Sequence, residues 1–138
     1  AYPDIKVWHK ANLKRWEKGV TGRTTLGRPY KAKLYTDMNN IMISGSAAEV
    51  AKLALHYMSK SIDIKKMLVF IHDSYTYEAD TMEEAQTVAE IFAKSMQEAW
   101  KEVTKHCVFK DVPMPVTVSV HHNWKKADGD PLWTNTWE

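Results

Sequence analysis

A chain of 138 residues, 44% hydrophobic and 26% charged, has the make-up of a globular protein with room for one real core. No apolar run nears the roughly 20 residues of a membrane helix, so no membrane partner is expected, and the opening residues mix charged and aromatic groups unlike a leader peptide. The lone Cys107 excludes an internal disulfide framework or a thiolate metal cluster and fits a reducing, cytoplasmic compartment.

Asp4 is placed to cap a first helix running to about Lys18, with Ile5, Trp8, Leu13 and Trp16 as an apolar stripe. Gly19, Gly22 and Gly27 then punctuate a short extended stretch, Val20 to Leu26, expected to form a small hairpin. Residues 1–33 carry nine Lys/Arg against two acids, a net of +7, while residues 34–138 carry a net of −5. Such a basic end reads equally as a polyanion contact or as a solvated helix face. From about Thr36 to Lys60, Val50, Leu53, Ala54, Tyr57 and Met58 recur at helical spacing. Gly45 lies in the first half of that helix at a cost of about 1 kcal/mol against alanine, which points to a close approach by another group.

Residues 67–79 read as two strands meeting at His72-Asp73, with Met67, Val69 and Ile71 on one face and Leu68 and Phe70 on the other. Thr81 and Glu84 form a capping box that opens a long helix to about Lys105, with Val88, Phe92, Met96, Ala99 and Val103 as its core stripe. Val116, Val118 and Val120 then alternate with polar residues in a half-buried strand. The tail, 125–138, has turn residues and two tryptophans but no period, and Trp133 and Trp137 are expected to dock on a partner or on the body of the domain. The whole is expected to be α+β, one partial domain with an antiparallel sheet of at least three strands packed on long helices.

A carboxylate between two apolar strands has two explanations. Aspartate is a common turn former, and Asp73 needs no other role on that ground alone. A strand-end aspartate also supplies a hard oxygen on rigid backbone, which a magnesium-dependent phosphoryl-transfer site requires. The histidines give no competing metal set: His121 and His122 point to opposite faces of a strand, and His9, His56 and His106 have no spacing partner.

Strand, His72-Asp73, strand resembles motif C of family A DNA polymerases, and further landmarks occur in the family's order. Ala1 to Ile5 resembles the segment after the fingers; Gly19-Val20-Thr21 with Thr25-Leu26-Gly27-Arg28 is similar to "GYVxTxxGRRR". Asn40 followed by Gly45-Ser46-Ala47-Ala48-Glu49-Val50 and Lys52 is similar to "N…QGTAADIxK", and Pro113 to Trp124 resembles the terminal segment ending in Asn-Trp. The resemblance implies the C-terminal part of a polymerase palm. In it Asp73 is a ligand shared by two catalytic Mg²⁺ ions, and His72 contacts the primer terminus. It further implies that Arg28 lies near backbone phosphates and that Asn40 faces the minor groove, where every correct pair presents similar acceptors. Lys14 and Arg23, with Lys10, Arg15 and Lys18, would track duplex phosphates, which positions DNA without reading its sequence.

The departures carry equal weight. Ser74 stands where the family has a glutamate, Ser44 where it has a glutamine at the minor groove, Thr36 where an arginine is common, and His121-His122 where glycine is common; together they fit a divergent, phage-like branch. No segment of these residues matches the family's first catalytic aspartate or the fingers helix that grips the dNTP. The chain is therefore expected to be inactive by itself, a split-gene subunit, a cleavage product or an excised fragment that works on primer–template DNA with an N-terminal polymerase portion or subunit supplying those groups. Two rivals remain at this stage. A single-subunit RNA polymerase commonly has His-Asp-Ser, as here at 72–74, and a palm remnant could serve as a scaffold or nucleic-acid clamp.

Overall fold

The computed structural model describes residues 3–107, 111–124 and 130–138. It is α+β, with helices α1 (Pro3–Glu17), α2 (Tyr35–Met58) and α3 (Met82–Thr104), and strands β1 (Gly22–Arg23), β2 (Pro29–Tyr30), β3 (Met67–Ile71), β4 (Ser74–Tyr77), β5 (Val116–Val120) and β6 (Trp133–Trp137). Two compact units divide it, 1–49 and 50–138, the boundary falling within α2.

In the first unit α1 starts at Pro3, so Asp4 sits inside the first turn rather than capping it, where its charge complements the helix dipole. The expected apolar stripe is not what this helix buries. Ile5 and Leu13 are exposed, and the buried position is Asn12, one turn from the half-buried Trp8 and Trp16. A line at 8, 12 and 16 keeps one face, and the polar group in its centre is tolerated because Asn12 Nδ2 donates to Asn39 Oδ1 at 2.9 Å. The helix ends in a Schellman arrangement. Gly19, at φ 65°, donates to the Trp16 carbonyl, and Val20 donates to that of Arg15.

β1 and β2 form the expected small hairpin, reaching as far as Tyr30. Its loop is fastened to α2, and Gly45 is where they meet. A Cβ on Gly45 would lie 2.8 Å from the Thr24 methyl. Thr24 cannot easily rotate that methyl away, because its hydroxyl donates to Glu49 Oε1 at 2.5 Å. Gly45→Ala should therefore lose about 1–2 kcal/mol through overpacking, despite alanine's better helix propensity. Thr24→Ser keeps the hydroxyl and deletes the methyl, so in that background Gly45→Ala should become neutral or stabilising by urea unfolding. A penalty unchanged by Thr24→Ser would refute the close-approach account.

The second unit has one core. Val50, Ala54 and Met58 of α2 meet Val88, Phe92, Ala99 and Val103 of α3, with Leu53, Tyr57, Met67, Tyr75 and Tyr77 packed against them. The α3 stripe is as its period dictates, and Thr81 caps it by accepting from the Glu84 N–H. Glu84 does not return the bond to Thr81; it accepts from the Asp80 N–H at 2.8 Å.

Two expectations about strands fail. The tail is not irregular throughout: residues 125–129 lie outside the described residues, but β6 pairs antiparallel with β5, from Val116↔Trp137 to Val120↔Trp133. Asn135 breaks the apolar alternation between the two tryptophans, which hid the strand. Its stability comes from across the ladder, in Thr117–Thr136 and Ser119–Thr134 hydroxyl pairs at 2.9 and 3.2 Å. Nor do the strands join into one sheet. Among the described residues there are three two-stranded sheets, because β5 takes β6 as its partner and packs on α3 while β3 pairs with β4 alone.

Candidate active site

β3 and β4 are joined by a two-residue loop, His72-Asp73, inside the closing pair Ile71↔Ser74. The strands form because Met67, Tyr75 and Tyr77 have a core to face, and a tight turn leaves both loop side chains exposed. Val69 and Ile71 do not share the face of Met67 as the alternation predicts, because a register shift between Met67 and Val69 sets Phe70 opposite Tyr75 and Val69 opposite Thr76. His72 is held at φ 56°, in the left-handed region, at a cost on the order of 1–2 kcal/mol. Non-glycine residues kept there cluster at functional sites. Asp73 is nearly unencumbered: Ser74 Oγ reaches its Oδ1 only at 3.5 Å, a long and weak contact. Both carboxylate oxygens are available to an outside ligand.

The hairpin beneath this carboxylate is braced twice. At its base, Lys66 Nζ bridges Asp80 Oδ2 and Glu84 Oε1, each at 2.7 Å, and the Tyr77 hydroxyl donates to the same Glu84 oxygen at 3.2 Å. Hydrogen bonding to the two acids raises the Lys66 pKa, and the bond from Lys66 lowers that of Glu84. Nearer the tip, Tyr75 stacks on its cross-strand neighbour Phe70 (centroids 4.7 Å apart, 26° between planes) and donates its hydroxyl to the Ala51 carbonyl of α2. Burial pushes the Tyr75 phenol up to about 12, so it remains a hydrogen-bond donor at neutral pH. Tyr75 and Tyr77 were not singled out from sequence. Their signal was the alternation Ser-Tyr-Thr-Tyr, which turns both rings to the inner face.

The other predicted residues belong to the first unit. Lys14 is exposed on α1; Asn40 and Ser44 are exposed one turn apart on α2, so they share a helix face. Arg23 Nη1 donates to the Gly27 carbonyl at 2.8 Å, and Arg28 Nε lies 3.6 Å from Glu49 Oε1 with its side chain about half exposed. Glu49, which sequence reasoning gave no role, organises this corner. It is 5% exposed and accepts from the Thr24 hydroxyl and, at 3.1 Å, from the Leu26 N–H. Ser46 adds a second tie, accepting from the Thr25 N–H at 3.0 Å. The exposed Arg23 and Arg28 flank this loop, and guanidinium groups are the side chains best matched to phosphate oxygens.

Among the described residues no three or more His, Cys, Asp or Glu side chains gather closely enough to hold a metal ion. Asp73 fits as one hard-oxygen donor of a divalent-cation site and not as the whole of it. Nor, among those residues, is any helix long and apolar enough to cross a membrane.

The hairpin thus presents an exposed His-Asp turn on a braced support, beside a capped helix. The model of DNA polymerase family A matches residues 1–126, and the chain belongs to that family. Among curated proteins, DNA polymerase I of Aquifex aeolicus (strain VF5) is 36% identical over an alignment of 131 residues that covers 88% of this chain. The alignment covers 21% of that polymerase, so the chain spans about a fifth of its relative's length.

Proposed function

We propose that these residues are the C-terminal palm segment of a DNA-directed DNA polymerase, in which Asp73 is one ligand of a two-metal nucleotidyl-transfer site. The observation that carries this reading is the exposed Asp73 carboxylate at the bend of β3–β4, in a chain of this family. Mg²⁺ suits it, and a pair of such ions, when bound, stabilises the attacking and leaving oxygens of an in-line displacement. Asp73 holds its carboxylate at a defined place, and His72 presents an imidazole beside it for the primer end. Lys14, Arg23 and Arg28 lend cationic contacts to the phosphates of primer–template DNA, and Asn40 and Ser44 offer polar groups to the minor groove.

One carboxylate is not enough for two ions, so the remaining acid and the groups that grip the dNTP come from residues outside these 138. Primer extension by the 138-residue chain alone should therefore be at background, while the polymerase that contains it extends a primer with Mg²⁺ and deoxynucleotides. Extension by the isolated chain would overturn this, and ribonucleotide preference by the containing enzyme would favour the RNA polymerase reading instead.

A further inference from the structure

Because the Ser74 contact to Asp73 is long, the place of this carboxylate is set by the hairpin and not by its own hydrogen bonds. The base of the hairpin is fixed through Lys66 and Tyr77. Beyond that base, among the described residues, Tyr75 makes the hydrogen bond that ties the hairpin to a helix, through its hydroxyl on the Ala51 carbonyl. Its ring is seated between Phe70 and the edge of Phe92, whose centroid is 6.0 Å away at 67°. It stands two positions from Asp73 with Ser74 alone between them, a span of about 7 Å, so slack at Tyr75 becomes slack at the carboxylate.

We infer that Tyr75 is a positioning residue for the reaction, its bond to Ala51 fixing where the Asp73 carboxylate meets a divalent cation. This rests on the metal-ligand reading of Asp73. It differs from a structural role in one respect: loss of the hydroxyl should weaken cation binding at a distance while the fold and the DNA contacts stay intact.

The test uses the whole polymerase on a primer–template, comparing Tyr75→Phe and Asp73→Asn with the parent. Phenylalanine keeps the ring stack and removes only the donor. Tyr75→Phe should lower kcat about tenfold and raise half-saturating Mn²⁺, read by electron paramagnetic resonance without turnover, about tenfold, the lower end of the range for groups that orient a ligand. Primer–template Kd, nucleotide KM and Tm should change little. If Asp73→Asn abolishes synthesis and one class of Mn²⁺ binding while Tyr75→Phe leaves kcat and Mn²⁺ affinity within about twofold of the parent, the positioning role is wrong and the metal-ligand reading stands. If Asp73→Asn itself leaves both unchanged, the metal-ligand reading falls and the positioning role with it.

Discussion

Asp73→Asn in the containing polymerase is expected to lower kcat by on the order of 10³-fold or more while leaving primer–template affinity within a few-fold. Asparagine keeps the shape of the side chain but replaces one oxygen with a neutral amide and removes the charge. Loss of one charged group on the developing transition state amounts to several kcal/mol, and each factor of ten in rate is about 1.4 kcal/mol. Folding should be indifferent, since Asp73 is exposed and its nearest polar neighbour is Ser74 at 3.5 Å. Single-turnover nucleotide incorporation with DNA binding measured in parallel separates the readings. A scaffold or clamp would keep its function without this carboxylate. A variant that still synthesises at the parental rate would refute the polymerase role given to Asp73.

The features legible in the sequence are those that lie within one stretch of chain. α3 was legible from its cap to its stripe because Thr81, Glu84 and the run Val88, Phe92, Ala99, Val103 obey one period over more than twenty residues. The His72-Asp73 turn was legible because two short apolar strands flank it, and a glycine in mid-helix betrayed the close approach of Thr24. The failures share a cause. Asn12 lies on the inner face of α1 because Asn39 answers it, 27 positions away, and β6 is a strand because β5 lies beside it. Glu49 and Tyr75 gain their parts from Thr24 and Ala51, at separations of 25 and 24. No window of local pattern contains both members of such pairs. The site residues taken from family resemblance were local too, whereas the groups that hold them were not.

Phe92 is where core and site meet, and Phe92→Ala is expected to be the most damaging change in the second unit. The ring is 6% exposed and packs in the cluster of Val50, Ala54, Met58, Val88, Ala99 and Val103. Its edges meet Tyr75 and Tyr77, at 6.0 Å and 67° and at 6.1 Å and 85°. Emptying such a site costs about 3–5 kcal/mol, and edge-to-face pairs contribute about 0.5–1.5 kcal/mol each beyond buried area. That is a large share of the ~5–15 kcal/mol that holds a domain together. The unfolding midpoint in urea should fall accordingly, and a loss under about 1 kcal/mol would mean the core closes over the gap. Phe92→Leu fills part of the space and should cost about 1–3 kcal/mol, mainly the two edge-to-face pairs and less than alanine does, so it separates the aromatic edge from the filling of space. If leucine restores stability but synthesis remains slow, the ring's second task is to hold Tyr75, and through it the turn that carries Asp73. If leucine restores both, Phe92 contributes volume alone.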